Sequence, residues 1–224
     1  MEQEYLKSLE AQLTMAADPG IARAQEAYMR TRFAFHGVKT VRRRELQKEF
    51  LKTENLPPKE RLEEIVKNLW EKPEREYQYF AQELLFRYRR ELATADISLL
   101  EYMITTKSWW DTVDFLAAKL VGAYLQEYPE LRREYVEKWL NSGDLWLQRT
   151  AVLFQLKYKK ETDAALLAST IRCLLGSKEF FINKAIGWAL REYSKTDPSW
   201  VVDFVENTEL SRLSRMEGLR LIKN

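Results

Sequence analysis

The stretch Trp146-Leu147-Gln148-Arg149-Thr150-Ala151-Val152-Leu153-Phe154-Gln155-Leu156-Lys157-Tyr158-Lys159-Lys160 decides how this chain folds. With Leu145 before it, its apolar residues Ala151, Val152 and Leu156 recur at helical spacing. Moved 35 residues on, the template meets Phe181-Ile182-Asn183-Lys184-Ala185-Ile186-Gly187-Trp188-Ala189-Leu190-Arg191-Glu192-Tyr193. Moved 70 residues back it meets Glu76 through Arg90, with Tyr88-Arg89-Arg90 under Tyr158-Lys159-Lys160. Moved 35 back, Arg149 falls on Asp114 and Leu145 on Trp110. A period of about 35 with two short helices per unit is the mark of an α-solenoid. The expectation is an all-α chain of HEAT-like helical repeats, forming a single domain over residues 1–224.

The rest of the chain agrees. All six Pro and three of the seven Gly fall as punctuation, at Asp18-Pro19-Gly20, Leu56-Pro57-Pro58, Lys72-Pro73, Tyr128-Pro129, Ser142-Gly143, Leu175-Gly176 and Asp197-Pro198. They cut the sequence into pieces that suit about a dozen short helices. Helix starts are expected at Thr40, Ser108 and Asp144, whose side chains can cap the backbone N–H groups that follow. A last helix is expected from Ser211 to Ile222.

Composition removes whole classes of function. The 36 Lys and Arg nearly balance 34 Asp and Glu, so a net charge of +2 excludes a polybasic tail while leaving room for a local basic face. One cysteine, Cys173, and one histidine, His36, exclude an intrachain disulfide and are too few for a Cys/His zinc site. Any Cys-His or Ser-His catalytic pair would have to use His36, which is expected in a loop beside Phe35 and Gly37. No run approaches the roughly 20 apolar residues of a membrane helix. The N-terminal MEQEYLKSLEAQL has acids where a signal peptide has bases, so a cytoplasmic protein is expected. No glycine-rich phosphate loop and no helix-hairpin-helix signature is present.

The repeat register also groups residues by surface. Asp114, Arg149 and Lys184 are equivalent positions on three successive second helices. Residues four apart share a helical face, so Trp110 joins Asp114 and Trp188 joins Lys184, with Arg191 extending the row. Adjacent helical residues point about 100° apart, so Trp109 is assigned to the core or a helix joint. A face of tryptophans, an acid and bases is unusual for a surface that needs only to be solvated. Read from the residues alone, this is a helical-repeat protein with a mixed aromatic and ionic face. Arg149 could simply pair with Asp114, and the basic clusters at Arg42–Arg44, Arg87–Arg90, Arg132-Arg133 and Lys157–Lys160 could simply be solvated.

Several segments together resemble a known family. Thr106-Lys107-Ser108-Trp109-Trp110-Asp111-Thr112-Val113-Asp114, Trp146-Leu147-Gln148-Arg149, Phe154-Gln155-Leu156-Lys157-Tyr158, Ser177-Lys178-Glu179-Phe180-Phe181-Ile182 and Lys184-Ala185-Ile186-Gly187-Trp188 resemble segments of the bacterial AlkD-type DNA alkylation repair glycosylases. Ala27-Tyr28-Met29-Arg30, Leu69-Trp70 and Pro73-Glu74-Arg75-Glu76 also fit, so the resemblance spans essentially the whole chain. It implies a solenoid whose concave face holds double-stranded DNA, and hydrolysis of the N-glycosidic bond of cationic alkylpurines, chiefly N3-methyladenine and N7-methylguanine. By the same resemblance Asp114 is the catalytic carboxylate, Trp110 and Trp188 are the catalytic-face tryptophans, Arg149 holds the DNA backbone at the lesion, and Tyr28 faces DNA. Thr40, Arg44, Lys157 and Arg191 match further DNA-contacting positions, and Lys184 joins them through the repeat register. Where the family reads x-Pro-Glu-Arg-Arg, this chain has Val41-Arg42-Arg43-Arg44, which keeps the basic end and loses the Pro-Glu.

The implied chemistry suits these residue types. An alkylated purine already carries positive charge and leaves without a general acid, so the demand falls on the sugar, which becomes an oxocarbenium. Tryptophan faces stabilise cations by about 0.5–2 kcal/mol each, and an ionised carboxylate stabilises the sugar cation and orients water. The expected enzyme is monofunctional and monomeric, uses no cofactor or metal, and leaves the base stacked rather than flipping it into a pocket. The alternative is a HEAT-like scaffold that binds DNA or protein without catalysis.

Overall fold

The computed structural model describes residues 2–222, with side chains from residue 4 onward. Met1, Lys223 and Asn224, the ends of the expected 1–224 domain, lie outside the described residues. Two compact units are present, Met1–Tyr88 and Arg89–Asn224. The first contains α1 (Glu2–Met15), α2 (Pro19–Tyr28), α3 (Thr40–Gln47), α4 (Leu62–Glu71) and α5 (Arg75–Arg87). The second contains α6 (Ile97–Thr105), α7 (Trp110–Phe115), α8 (Gly122–Glu127), α9 (Arg132–Asn141), α10 (Leu145–Leu153), α11 (Ala164–Cys173), α12 (Phe180–Tyr193), α13 (Pro198–Glu206) and α14 (Arg212–Gly218). A π-helical segment, Leu116–Val121, joins α7 to α8. Among the described residues there is no strand, only an isolated bridge between Ala34 and Glu74. Among the described residues no helix is long and apolar enough to cross a membrane. The fold is all-α and built of helical repeats, as the periodicity indicates.

The repeat is visible in where helices begin. α3, α5, α7, α10 and α12 start at residues 40, 75, 110, 145 and 180, a step of 35 held four times. α4, α6 and α9 start at 62, 97 and 132, with the same step. The pattern follows from burial. α4 hides Leu62, Ile65, Val66, Leu69 and Trp70, which is one stripe at helical spacing. α12 does the same with Ile182, Ala185, Ile186, Ala189 and Leu190. Each fully buried Leu or Ile contributes about 1.5–3 kcal/mol, and no single helix could hide such a stripe alone.

Polar ties spanning 30 to 38 residues, close to one period, link neighbouring repeats. Tyr124 Oη donates to the Thr94 carbonyl at 3.0 Å, Trp139 Nε1 to Glu101 Oε1 at 2.7 Å, and Tyr158 Oη to the Gly122 carbonyl at 2.6 Å. Gly122 has to be small, because a Cβ there would lie 2.7 Å from the Phe154 carbonyl oxygen.

Helix ends correct part of the sequence reading. Asp144 caps α10, its Oδ1 accepting from Trp146 N at 2.8 Å and Leu147 N at 2.9 Å. Thr40 instead is the first residue of α3, with Lys39 at the cap and no side-chain bond. Ser108 does not cap α7 either. Its hydroxyl donates backwards to the Ile104 carbonyl at 2.6 Å, satisfying the end of α6, and Trp109 takes the cap position. The last helix is shorter than Ser211–Ile222, because Ser211 caps it through Ser214 N and it ends at Gly218.

In the first unit the loop before α3 is held by a buried carboxylate at the start of α5. Glu76 is fully buried and accepts from the backbone N–H groups of His36 (3.1 Å), Gly37 (3.0 Å) and Val38 (3.0 Å). His36 lies in that loop and meets Tyr77 Oη at 3.1 Å. Three N–H groups sharing one charge make strong bonds, and losing the acceptor would strand at least two of them away from water. Glu76→Ala is expected to lower stability by about 2–4 kcal/mol in urea denaturation, while Glu76→Gln, which keeps one acceptor, falls between it and the parent protein.

Candidate active site

The second unit brings Asp114 and Arg149 into contact across one repeat. Asp114 lies on α7, one turn after Trp110, and Arg149 lies in α10, one turn after Leu145. Arg149 Nε donates to Asp114 Oδ1 at 2.7 Å and Nη2 to Oδ2 at 2.9 Å. This is the two-pronged geometry in which a guanidinium fork matches a carboxylate. Arg149 Nη1 also donates to the backbone carbonyl of Phe181, in the first turn of α12. One buried side chain therefore pins α7, α10 and α12, which are three consecutive second helices.

An aromatic cluster packs beside the pin. Trp109 is 6% exposed, and its ring lies 5.6 Å from Trp146 and 5.1 Å from Phe181. Trp146 and Phe181 are themselves 5.0 Å apart. Such contacts add about 0.5–1.5 kcal/mol each beyond area burial. Trp109 is core, as the 100° argument assigns it, and Trp110 is half-buried at the first position of α7. The roles of Trp146 and of the Phe181 ring and carbonyl were not legible in advance, although Phe181 sits in the repeat register with Trp146.

The environment of Asp114 opposes its own charge. Its side chain is only 17% exposed, and burial pushes its carboxyl above the ordinary value of 3.8. Arg149 opposes that shift through hydrogen bonding and charge, and Asp111 on the same helix adds to it. Burial outweighs the bidentate pair. Each carboxylate oxygen accepts one bond from Arg149, which leaves further acceptor capacity on the side open to solvent.

Lys184 and Arg191 are engaged elsewhere. Lys184 Nζ donates to Glu217 Oε1 at 2.7 Å, and Arg191 Nη1 donates to Glu217 Oε2 at 2.6 Å. Trp188 stands on α12 between them, half-buried and packed against the core of the second unit. Glu217 was missed in the sequence, although it lies 33 residues after Lys184 and so close to one period away. Lys157 is exposed and forms no ion pair among the described residues.

The remaining candidates lie in the first unit. Tyr28 ends α2 with 71% of its surface exposed. Thr40 is exposed at the start of α3. Arg44 is exposed, and its Nε lies 3.3 Å from Glu83 Oε1, which also receives the buried Arg43 at 3.2 Å.

Comparison with known proteins bears on what this arrangement is for. A sequence model of the family described as DNA alkylation repair enzyme matches residues 9–222. The chain belongs to that family. Its structure is similar to that of a "Predicted DNA alkylation repair enzyme from Enterococcus faecalis", with a TM-score of 0.86 and 32% sequence identity, over 93% of this chain and 97% of that one. No curated protein matches significantly. As a DNA alkylation repair enzyme, the chain has DNA as its substrate and alkylation damage as its target.

The paired carboxyl gives this site a measurable signature. In ¹³C NMR the Asp114 carboxyl is expected to titrate above 3.8. Arg149→Gln removes the charge that favours the ionised form, so the midpoint should move higher still. A midpoint that stays put or falls would mean that Arg149 does not hold the ionised carboxylate.

Proposed function

We propose that the protein is a monofunctional DNA glycosylase that hydrolyses the N-glycosidic bond of cationic alkylated purines, N3-methyladenine and N7-methylguanine, in duplex DNA. The observation that carries this reading is the Asp114–Arg149 pair, set one helical turn from Trp110 in a member of a DNA alkylation repair family. Trp188 supplies the second aromatic face, flanked by Lys184 and Arg191, which Glu217 holds, and Tyr28, Thr40, Arg44 and Lys157 are proposed DNA-binding positions. In the second unit the face formed by α7, α10 and α12 is proposed as a DNA-binding face.

The residues can supply what the reaction needs. The C1′–N bond breaks with its electron pair passing to the cationic purine, which leaves as a neutral base. A water oxygen bonds to C1′ and gives its proton to solvent. Positive charge meanwhile builds on the sugar, where a desolvated carboxylate stabilises it more strongly than an exposed one would. Trp110 and Trp188 add cation–π attraction. Arg149 keeps the carboxylate ionised and aimed, and it cancels the acid's charge toward approaching phosphates until a cationic lesion arrives. At 3% exposure Arg149 serves Asp114 first, and a direct phosphate contact would require it to move.

The test is release of free N7-methylguanine from a duplex under single-turnover conditions. Asp114→Asn is expected to slow release by on the order of 10²-fold, with duplex affinity within about threefold of the parent. Release by the parent protein no faster than the spontaneous reaction, with duplex binding retained, would leave a non-catalytic DNA-binding scaffold. Binding should weaken with salt by a log-log slope of about −0.9 per phosphate contacted.

A further inference from the structure

The last helix contributes no residue to the proposed site, yet it is built tightly into the helix that carries Trp188. α14 approaches α12 at a glycine. A Cβ on Gly187 would lie 2.5 Å from Glu217 Cβ and 3.1 Å from the Ser214 carbonyl oxygen. A Cβ on Gly218 would meet Leu190 Cβ at 3.1 Å. Ser214 Oγ donates to the Asn183 carbonyl at 2.8 Å, closing the contact at its other end.

This approach delivers a carboxylate to a defined place. Glu217 is 13% exposed, and its two oxygens go separately to Lys184 at 2.7 Å and Arg191 at 2.6 Å, with Arg220 at 3.9 Å. Those cations hold the carboxyl below the ordinary glutamate value. On α12 Lys184 precedes Trp188 by four residues and Arg191 follows it by three, so they lie one turn before and one turn after it on the same face. The two side chains and the carboxylate form a brace across the turn that presents the tryptophan.

We propose that Glu217 is a positioning residue for Trp188, fixing the indole through Lys184 and Arg191 while keeping both cations from the DNA backbone. The proposal rests on the glycosylase reading for the role of Trp188, but the brace itself can be tested without catalysis. Rate and affinity should respond in opposite directions when the brace is cut. Loss of Glu217 loosens the indole and slows the reaction, while two released cations strengthen binding to phosphates.

The experiment compares the parent protein with Glu217→Gln and Gly187→Ala, the second of which pushes α14 away by its added Cβ. ¹⁵N-labelled protein has seven tryptophan indole positions, and the Trp188 signal is assigned by its disappearance in Trp188→Phe. In both variants the Trp188 signal is expected to shift and broaden, while those of the fully buried Trp70 and Trp139 stay in place. Single-turnover release of N7-methylguanine should fall about tenfold, and duplex Kd should decrease with a salt slope steeper by about one to two phosphates. An unmoved Trp188 signal in Glu217→Gln overturns the proposal whatever the catalytic result. So does a loss of rate and affinity together with shifts at all seven indoles, which would show a general structural role. If the parent protein releases no base, the glycosylase reading fails, and the indole spectra still decide whether Glu217 positions Trp188.

Discussion

Everything proposed for this protein depends on a carboxylate and a guanidinium that meet one repeat apart. Asp114 and Arg149 are 35 residues distant in sequence and 2.7–2.9 Å distant in space. The pair exists only because α7 and α10 stack in register, and Arg149 extends the tie to the Phe181 carbonyl on α12. A buried acid is costly unless paired, and so is a buried arginine. Each makes the other tolerable. What remains is a carboxylate with reduced solvation, which is a poor device for stability and a good one for meeting a transient cation.

The near balance of charge over the chain conceals local arrangements of this kind. Arg149 cancels Asp114, and Glu217 is shared by Lys184 and Arg191. In the first unit Glu83 is shared by Arg43 and Arg44. Twice, then, one acid serves two bases, leaving a local excess of positive charge beside helices proposed to face DNA. The total of +2 records none of this.

How much was legible beforehand divides along physical lines. The 35-residue step survived translation into structure because apolar spacing and helix starts are local properties, set by the same residues in each repeat. Trp109 could be separated from Trp110 by helix geometry alone. The Asp114–Arg149 contact could be raised as one possibility, since register places equivalent positions side by side, but register does not say which donors reach which acceptors. Glu217 could not be found this way, because α14 starts at 212 and breaks the 35-residue step. Caps at Thr40 and Ser108 were misread for a related reason. A hydroxyl near a helix start has several backbone partners within reach, and Ser108 takes the one behind it.

The regular step has a consequence for how such a chain can change over generations. Replacing one apolar residue by another of similar volume alters a single layer and is usually absorbed. Adding or removing one residue inside α10 ahead of Arg149 would swing the guanidinium by about 100° around the helix axis. The fork would then miss Asp114, and the carbonyl of Phe181 would lose its donor. Length changes are therefore tolerable in the connections, such as residues 128–131, and intolerable within the second helices. In this molecule the reading frame of the helix, more than the identity of most side chains along it, is what inheritance has to preserve.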